Sequence, residues 1–176
     1  MAQEETSMKR FSALFLAVFL LPAALPAAHA QEGAQAPVLS LSCPSAVLME
    51  KETGTLLYEQ NAHQQLEPAS VTKVMTLLLA MEAVDSGRLS LEDTITVSAF
   101  AAGMGGSQVY LEEGEQMSAA EMIKCVTVAS ANDCAVALAE HLAGSETAFV
   151  SQMNQRAREL GMEHTNFLNC TGLPAA

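Results

Sequence analysis

The segment from Leu66 to Val84, LEPASVTKVMTLLLAMEAV, constrains the fold more than any other. After Pro68 almost every position is apolar or small, and Gly87 in the following DSG can take a left-handed cap, so one helix is predicted between them. A helix apolar around its circumference reads as buried. Yet Ser70, Thr72 and Lys73 stand in its first turn, and burying an ammonium is costly unless it is paired or neutralised.

Upstream, Ala46 to Glu50 and Thr55 to Glu59 read as two strands joined by a turn at Glu52, Thr53 and Gly54. Downstream, LSLEDTITVS is at most a short extended piece. Gly103, Gly105 and Gly106 mark a surface loop. Ser118 and Glu121 form a capping box that opens a helix. The polar SAND then separates this helix from CAVALAEHLAG, which stops at Gly144. A last helix carries Phe149, Met153, Ala157 and Leu160 on one face and stops at Gly161, and the tail after it is irregular. The prediction is thus a mixed α/β chain with one hairpin and about four helices. A lone two-stranded hairpin is marginal in water. Either the helices cover it, or strands outside these 176 residues complete its sheet.

Lys9 and Arg10 precede FSALFLAVFLLPAALPA and then AHA, the order of a secretory signal peptide over residues 1–30, with Met8 as an alternative start and an uncleaved anchor as the other reading. The expected localisation is extracytoplasmic, in the cell envelope. Residues 31–44 read as a linker and 45–176 as the folded part. Net charge is -12 with or without the leader, because it removes two acids and two bases. Such a chain repels phosphate backbones, which argues against nucleic acid, and it shows no basic patch for anionic lipid. The four cysteines, Cys43, Cys125, Cys134 and Cys170, allow three pairings if all are oxidised. Cys125 and Cys134 equally suit apolar helix faces as small hydrophobes. No cysteine–histidine spacing suggests a metal, His63, His141 and His164 are scattered, and no cofactor is implied. The ten methionines read as core packing.

Ser70 and Lys73 lie one turn apart on a single helix face, so the amine can reach the hydroxyl. Serine needs an adjacent base, and a desolvated lysine gives up its proton more readily. The helix N-terminus adds a positive dipole end beside a developing oxyanion. The plainer alternative is a capping serine with a lysine snorkelling to water. Ser130 and Asn132 at the SAND break supply a hydroxyl for proton relay and an amide with both donor and acceptor. There too, an N-cap cluster is the alternative.

S-x-x-K and a second serine motif occur together in penicillin-binding proteins and class A β-lactamases, with K-T-G as third element. Between about residues 45 and 173 the chain resembles the N-terminal part of a serine-type D-alanyl-D-alanine carboxypeptidase, a low-molecular-mass penicillin-binding protein. PASVTK, GGSQVYLEEGE and SANDCAVALAE carry the likeness. The resemblance implies a β-lactamase/transpeptidase-like α/β fold, with a helical region packed on an antiparallel sheet. It implies Ser70 as the acylated nucleophile, Lys73 as its base, Ser130 as the proton relay and Asn132 as a substrate contact. The implied substrate is a peptidoglycan stem peptide ending in D-Ala-D-Ala, with β-lactams as inhibitors. K-T-G is absent; Lys51-Glu52-Thr53-Gly54 and Cys170-Thr171-Gly172 do not fit it. The chain is therefore expected to stop before the later sheet strands and before any C-terminal membrane-binding region, and to fold poorly alone. A class A-like β-lactamase, drawing its deacylating carboxylate from Glu159 or Glu163, and a non-catalytic binding module are the alternatives.

Overall fold

The computed structural model describes residue 39 and residues 41–175. The expected leader and most of the expected linker lie outside the described residues. From Ser45 onward the chain forms one compact unit.

Strands β1 (Ala46–Met49) and β2 (Leu56–Gln60) pair antiparallel as the predicted hairpin, with Ala46 opposite Gln60 and a register shift between Leu48 and Met49. The connecting turn is held by Glu50, whose carboxylate accepts from the Glu52 and Thr53 amides at 2.9 and 2.6 Å. Val47, Leu48, Met49, Leu56 and Leu57 are all exposed. Of the two arrangements open from the sequence, coverage by the helices is not the one found among the described residues.

A second antiparallel ladder was not legible in the sequence: β3 (Thr94–Thr96) pairs with β4 (Gln116–Ser118), Ile95 opposite Met117. Each strand is only three residues long, too short for an alternation to stand out. Beyond β3, a short helix α2 (Ala99–Ala102) is capped by Ser98, whose hydroxyl accepts from the Ala101 amide.

Helix α1 (Lys73–Asp85) follows a 3-10 turn, Ala69–Thr72. α3 (Ala119–Ala129) starts at the predicted cap, Ser118 accepting from the Glu121 amide. α4 (Asn132–Ala143) is the centre of the unit, packing against α1, α2, α3, β3 and α5 (Glu146–Glu159). Its unbroken buried run from Ala131 to Ala139 explains CAVALA: small side chains let neighbouring elements approach from every side. Phe149, Met153 and Ala157 of α5 are buried as predicted, whereas Leu160 caps the helix and is exposed, because the chain turns away there.

The α1 reading needs correcting. The helix is not buried all round: Val74 and Met81, with Val71 just before it, are exposed. Two of its polar residues are instead buried beside Met75, Leu79, Ala80 and Ala83, with Lys73 3% and Thr76 0% exposed. The tail is irregular, as expected, but it folds back along the face that carries Lys73 and Thr76.

Candidate active site

Ser70 lies in the 3-10 turn with an exposed side chain, and neither the turn nor α1 has a side-chain N-cap. Ser70 is therefore not spent as a cap. Ala69, immediately before it, has φ 47°, a conformation that costs a residue with a Cβ about 1–2 kcal/mol. Lys73 begins α1, and its Nζ stands 3.2 Å from Ser70 Oγ and 2.8 Å from the Thr171 carbonyl oxygen. Among the described residues no carboxylate pairs with it. Burial pushes the amine below the usual lysine range, and the nearby Cys170 opposes this. The Cys170 thiol is itself held protonated by burial and by Glu146, so near neutral pH it brings little charge to the lysine.

The segment 167–173 forms a strap across α1 held by side-chain hydrogen bonds. Asn154 holds the backbone of Phe167 in both directions, at 2.8 and 2.7 Å. Glu146 accepts from the Cys170 amide at 3.1 Å, and Thr76 donates to the Cys170 carbonyl at 2.7 Å. Asn169 Oδ1 accepts from the amides of Thr171 and Gly172 at 3.1 and 2.7 Å. Gly172, at φ 81°, passes so close to the 3-10 turn that a Cβ there would lie 1.9 Å from the Ala69 carbonyl oxygen. The strap thus packs directly against the turn that carries Ser70. Thr171 and Gly172 were missed because a backbone carbonyl 98 residues from the lysine leaves no trace in composition. The signal present was Gly172 itself, inside an otherwise unexplained NCTGL.

Ser130 and Asn132 sit where α3 gives way to α4. Ser130 is half-buried with φ 56°, and its amide donates to the Cys125 carbonyl, closing α3. Asn132 is buried at the first position of α4. Its amide nitrogen Nδ2 donates to the Gly105 carbonyl at 2.6 Å, and its backbone amide donates to the Ser107 carbonyl at 2.7 Å. Asn132 Oδ1 is buried without a hydrogen-bond partner among the described residues. The glycine loop, read from the sequence as a surface loop, is therefore bound to Asn132. The structure joins Ser70 to Lys73 directly. It sets Ser130 and Asn132 on a turn whose flanking helices both pack on α1, without a direct hydrogen bond from either residue to Ser70 or Lys73. Cys125, Cys134 and Cys170 are not joined by disulfides.

A serine hydroxyl beside a desolvated amine, with a second polar turn on the neighbouring helices, is the arrangement of serine–lysine acyl-transfer sites. The comparison with known proteins gives the family: the chain belongs to the D-alanyl-D-alanine carboxypeptidases, peptidase S11, with residues 30–176 matching. It is 47% identical over 167 residues to the D-alanyl-D-alanine carboxypeptidase DacF of Bacillus subtilis, covering 94% of this chain and 43% of that protein. It is similar to the solved D-alanyl-D-alanine carboxypeptidase DacD of Francisella tularensis, with TM-score 0.76 and 37% identity over 78% of this chain and 33% of that one. Penicillin-binding protein D2 of Listeria monocytogenes, solved in an ampicillin-bound form, superposes with TM-score 0.70 and 33% identity over 79% of this chain and 56% of that one. The fold is thus the α/β fold of the penicillin-binding proteins. The chain spans less than half the length of the curated relatives it matches.

Proposed function

We propose that the protein is a serine D-alanyl-D-alanine carboxypeptidase that removes the terminal D-alanine from peptidoglycan stem peptides and is acylated by β-lactams at Ser70. The observation that carries this reading is Ser70 Oγ 3.2 Å from the Nζ of a lysine that is 3% exposed and has no carboxylate partner among the described residues. A surface lysine would keep its proton, whereas this one is disposed to take one.

In the proposed reaction Ser70 Oγ attacks the carbonyl carbon of the penultimate residue while its proton passes to Lys73 Nζ. The scissile C–N bond then breaks, and the departing amine of D-alanine takes a proton through Ser130. Water hydrolyses the ester and restores Ser70. Asn132, with Oδ1 unpartnered, accepts an N–H of the substrate peptide. Export through residues 1–30, a place in the cell envelope, a K-T-G strand beyond residue 176 and membrane association through a region further along the chain belong to the same proposal. The β-lactamase alternative is weakened by its candidate carboxylates: Glu159 is engaged by Arg156 at 3.3 Å on α5, and Glu163 is exposed.

Intact mass after incubation of the full-length protein with benzylpenicillin tests the reading. The expected result is one adduct that Ser70→Ala abolishes, with release of D-alanine from a D-Ala-D-Ala peptide. An adduct that persists in Ser70→Ala, or none at all, refutes it.

A further inference from the structure

Asp133 is fully buried, yet no cation pairs with it among the described residues. Its carboxylate is satisfied by backbone amides alone. Oδ2 accepts from Val109 at 3.1 Å and from Leu111 at 3.1 Å, and Oδ1 accepts from Cys134 at 2.9 Å, with a second, longer contact to Val109 at 3.3 Å. A carboxylate is a poor choice for mere packing at this position, because a hydrophobe would fill the space without desolvating a charge.

The clamp opposes local preference. Val109 and Leu111 are alternate residues, and Tyr110 between them is forced to φ 62° with its side chain 78% exposed. An aromatic residue with positive φ, turned out to solvent, is held there only by its surroundings. The same loop supplies the Gly105 and Ser107 carbonyls that grip Asn132. Gly106 lies so near that a Cβ would come within 2.9 Å of Asn132 Nδ2. Because the Gly105 carbonyl requires a donor, the loop turns the nitrogen end of the amide toward itself and leaves Oδ1 as the acceptor without a partner among the described residues.

We propose that Asp133 is a positioning residue: by clamping loop 105–111 to the start of α4 it sets which end of the Asn132 amide is offered to the substrate. The proposal rests on the carboxypeptidase reading and extends it from the residue that contacts the peptide to the one that orients it. Asp133→Asn keeps the shape but places an NH2 group against an amide donor, so the loop loses its grip.

The test is a double-mutant cycle in the full-length protein, measuring the second-order rate of benzylpenicillin acylation for wild type, Asp133→Asn, Asn132→Ala and the pair. Asp133→Asn is expected to lower the rate about tenfold, through weaker binding rather than a slower limiting acylation step, since Ser70 and Lys73 are untouched. In the Asn132→Ala background it is expected to cost nothing further. Tyr110→Gly, which removes the left-handed strain, is expected to restore part of the loss, and it carries the cycle if Asp133→Asn alone does not fold. Losses that multiply in the pair, a fall confined to the limiting acylation step, or no recovery with Tyr110→Gly in a protein that melts like wild type overturn the role of Asp133. A wild type that takes up no benzylpenicillin overturns the carboxypeptidase reading beneath it.

Discussion

Gly172→Ala probes the joint between the strap and the turn that carries Ser70. The new methyl would stand 1.9 Å from the Ala69 carbonyl oxygen, 2.5 Å from its carbon and 2.9 Å from Thr72 Oγ1. Two of these three neighbours are backbone, so no rotamer change clears them and the strap must retreat by about 1 Å. The retreat stretches the bond from Lys73 Nζ to the Thr171 carbonyl, now 2.8 Å, beyond hydrogen-bonding range. Left-handed strain of about 1–2 kcal/mol and overpacking of about 1–3 kcal/mol overlap rather than add, which gives a loss of about 3 kcal/mol. In a domain of this size that lowers Tm by about 10 °C. Thermal unfolding followed by circular dichroism reads the first quantity, and benzylpenicillin uptake at a temperature where the variant is folded reads the second. Uptake is expected to slow, because the lysine loses the carbonyl that aims it at Ser70. A variant that melts within about 2 °C of wild type and is acylated at the same rate would refute the close approach of strap and turn.

Three further outcomes follow from the buried amine and its support. Acylation is expected to rise with pH as Lys73 loses its proton, with an inflection below the usual lysine value because burial favours the neutral amine; a flat profile from pH 5 to 10 contradicts this. Lys73 binds its proton less tightly in the folded state than in the unfolded one. Between the two pKa values the unfolded chain therefore holds more protons, and stability rises with pH. Lys73→Met is accordingly expected to raise Tm at neutral pH while abolishing the penicillin adduct, and a lowered Tm would count against the desolvation argument. Asn154→Ala removes both bonds to the Phe167 backbone, at 2.8 and 2.7 Å, and is expected to cost about 1–3 kcal/mol in urea unfolding. An unchanged midpoint would show that the strap stands without that tie.

Local chemistry carried a good deal of this protein. Two short strand-like runs on either side of the Glu52–Gly54 turn placed the first hairpin, Ser118 marked the start of α3, and the spacing of Ser70 and Lys73 placed amine and hydroxyl on one helix face. These depend on neighbours within four residues or on a short repeat, which a sequence displays directly. Where the same reasoning went beyond its reach, the failures have one cause. The uniform apolarity of α1 suggested burial all round, but only the packing of the strap and of α4 decided that the face with Lys73 and Thr76 is inside and the face with Val74 outside. β3 and β4, three residues each, exist because they pair with each other across about twenty residues of chain.

The sequence by itself determined the family, the hairpin, the main helices and the Ser70–Lys73 pair, because those rest on residue type and short spacing. Only the tertiary structure decided what desolvates Lys73, what grips Asn132 and why Asp133 is buried. Apart from the adjacent Cys134 amide, those partners are backbone amides and carbonyls 22 to 98 residues away, and a backbone group has the same chemistry whichever side chain its residue carries.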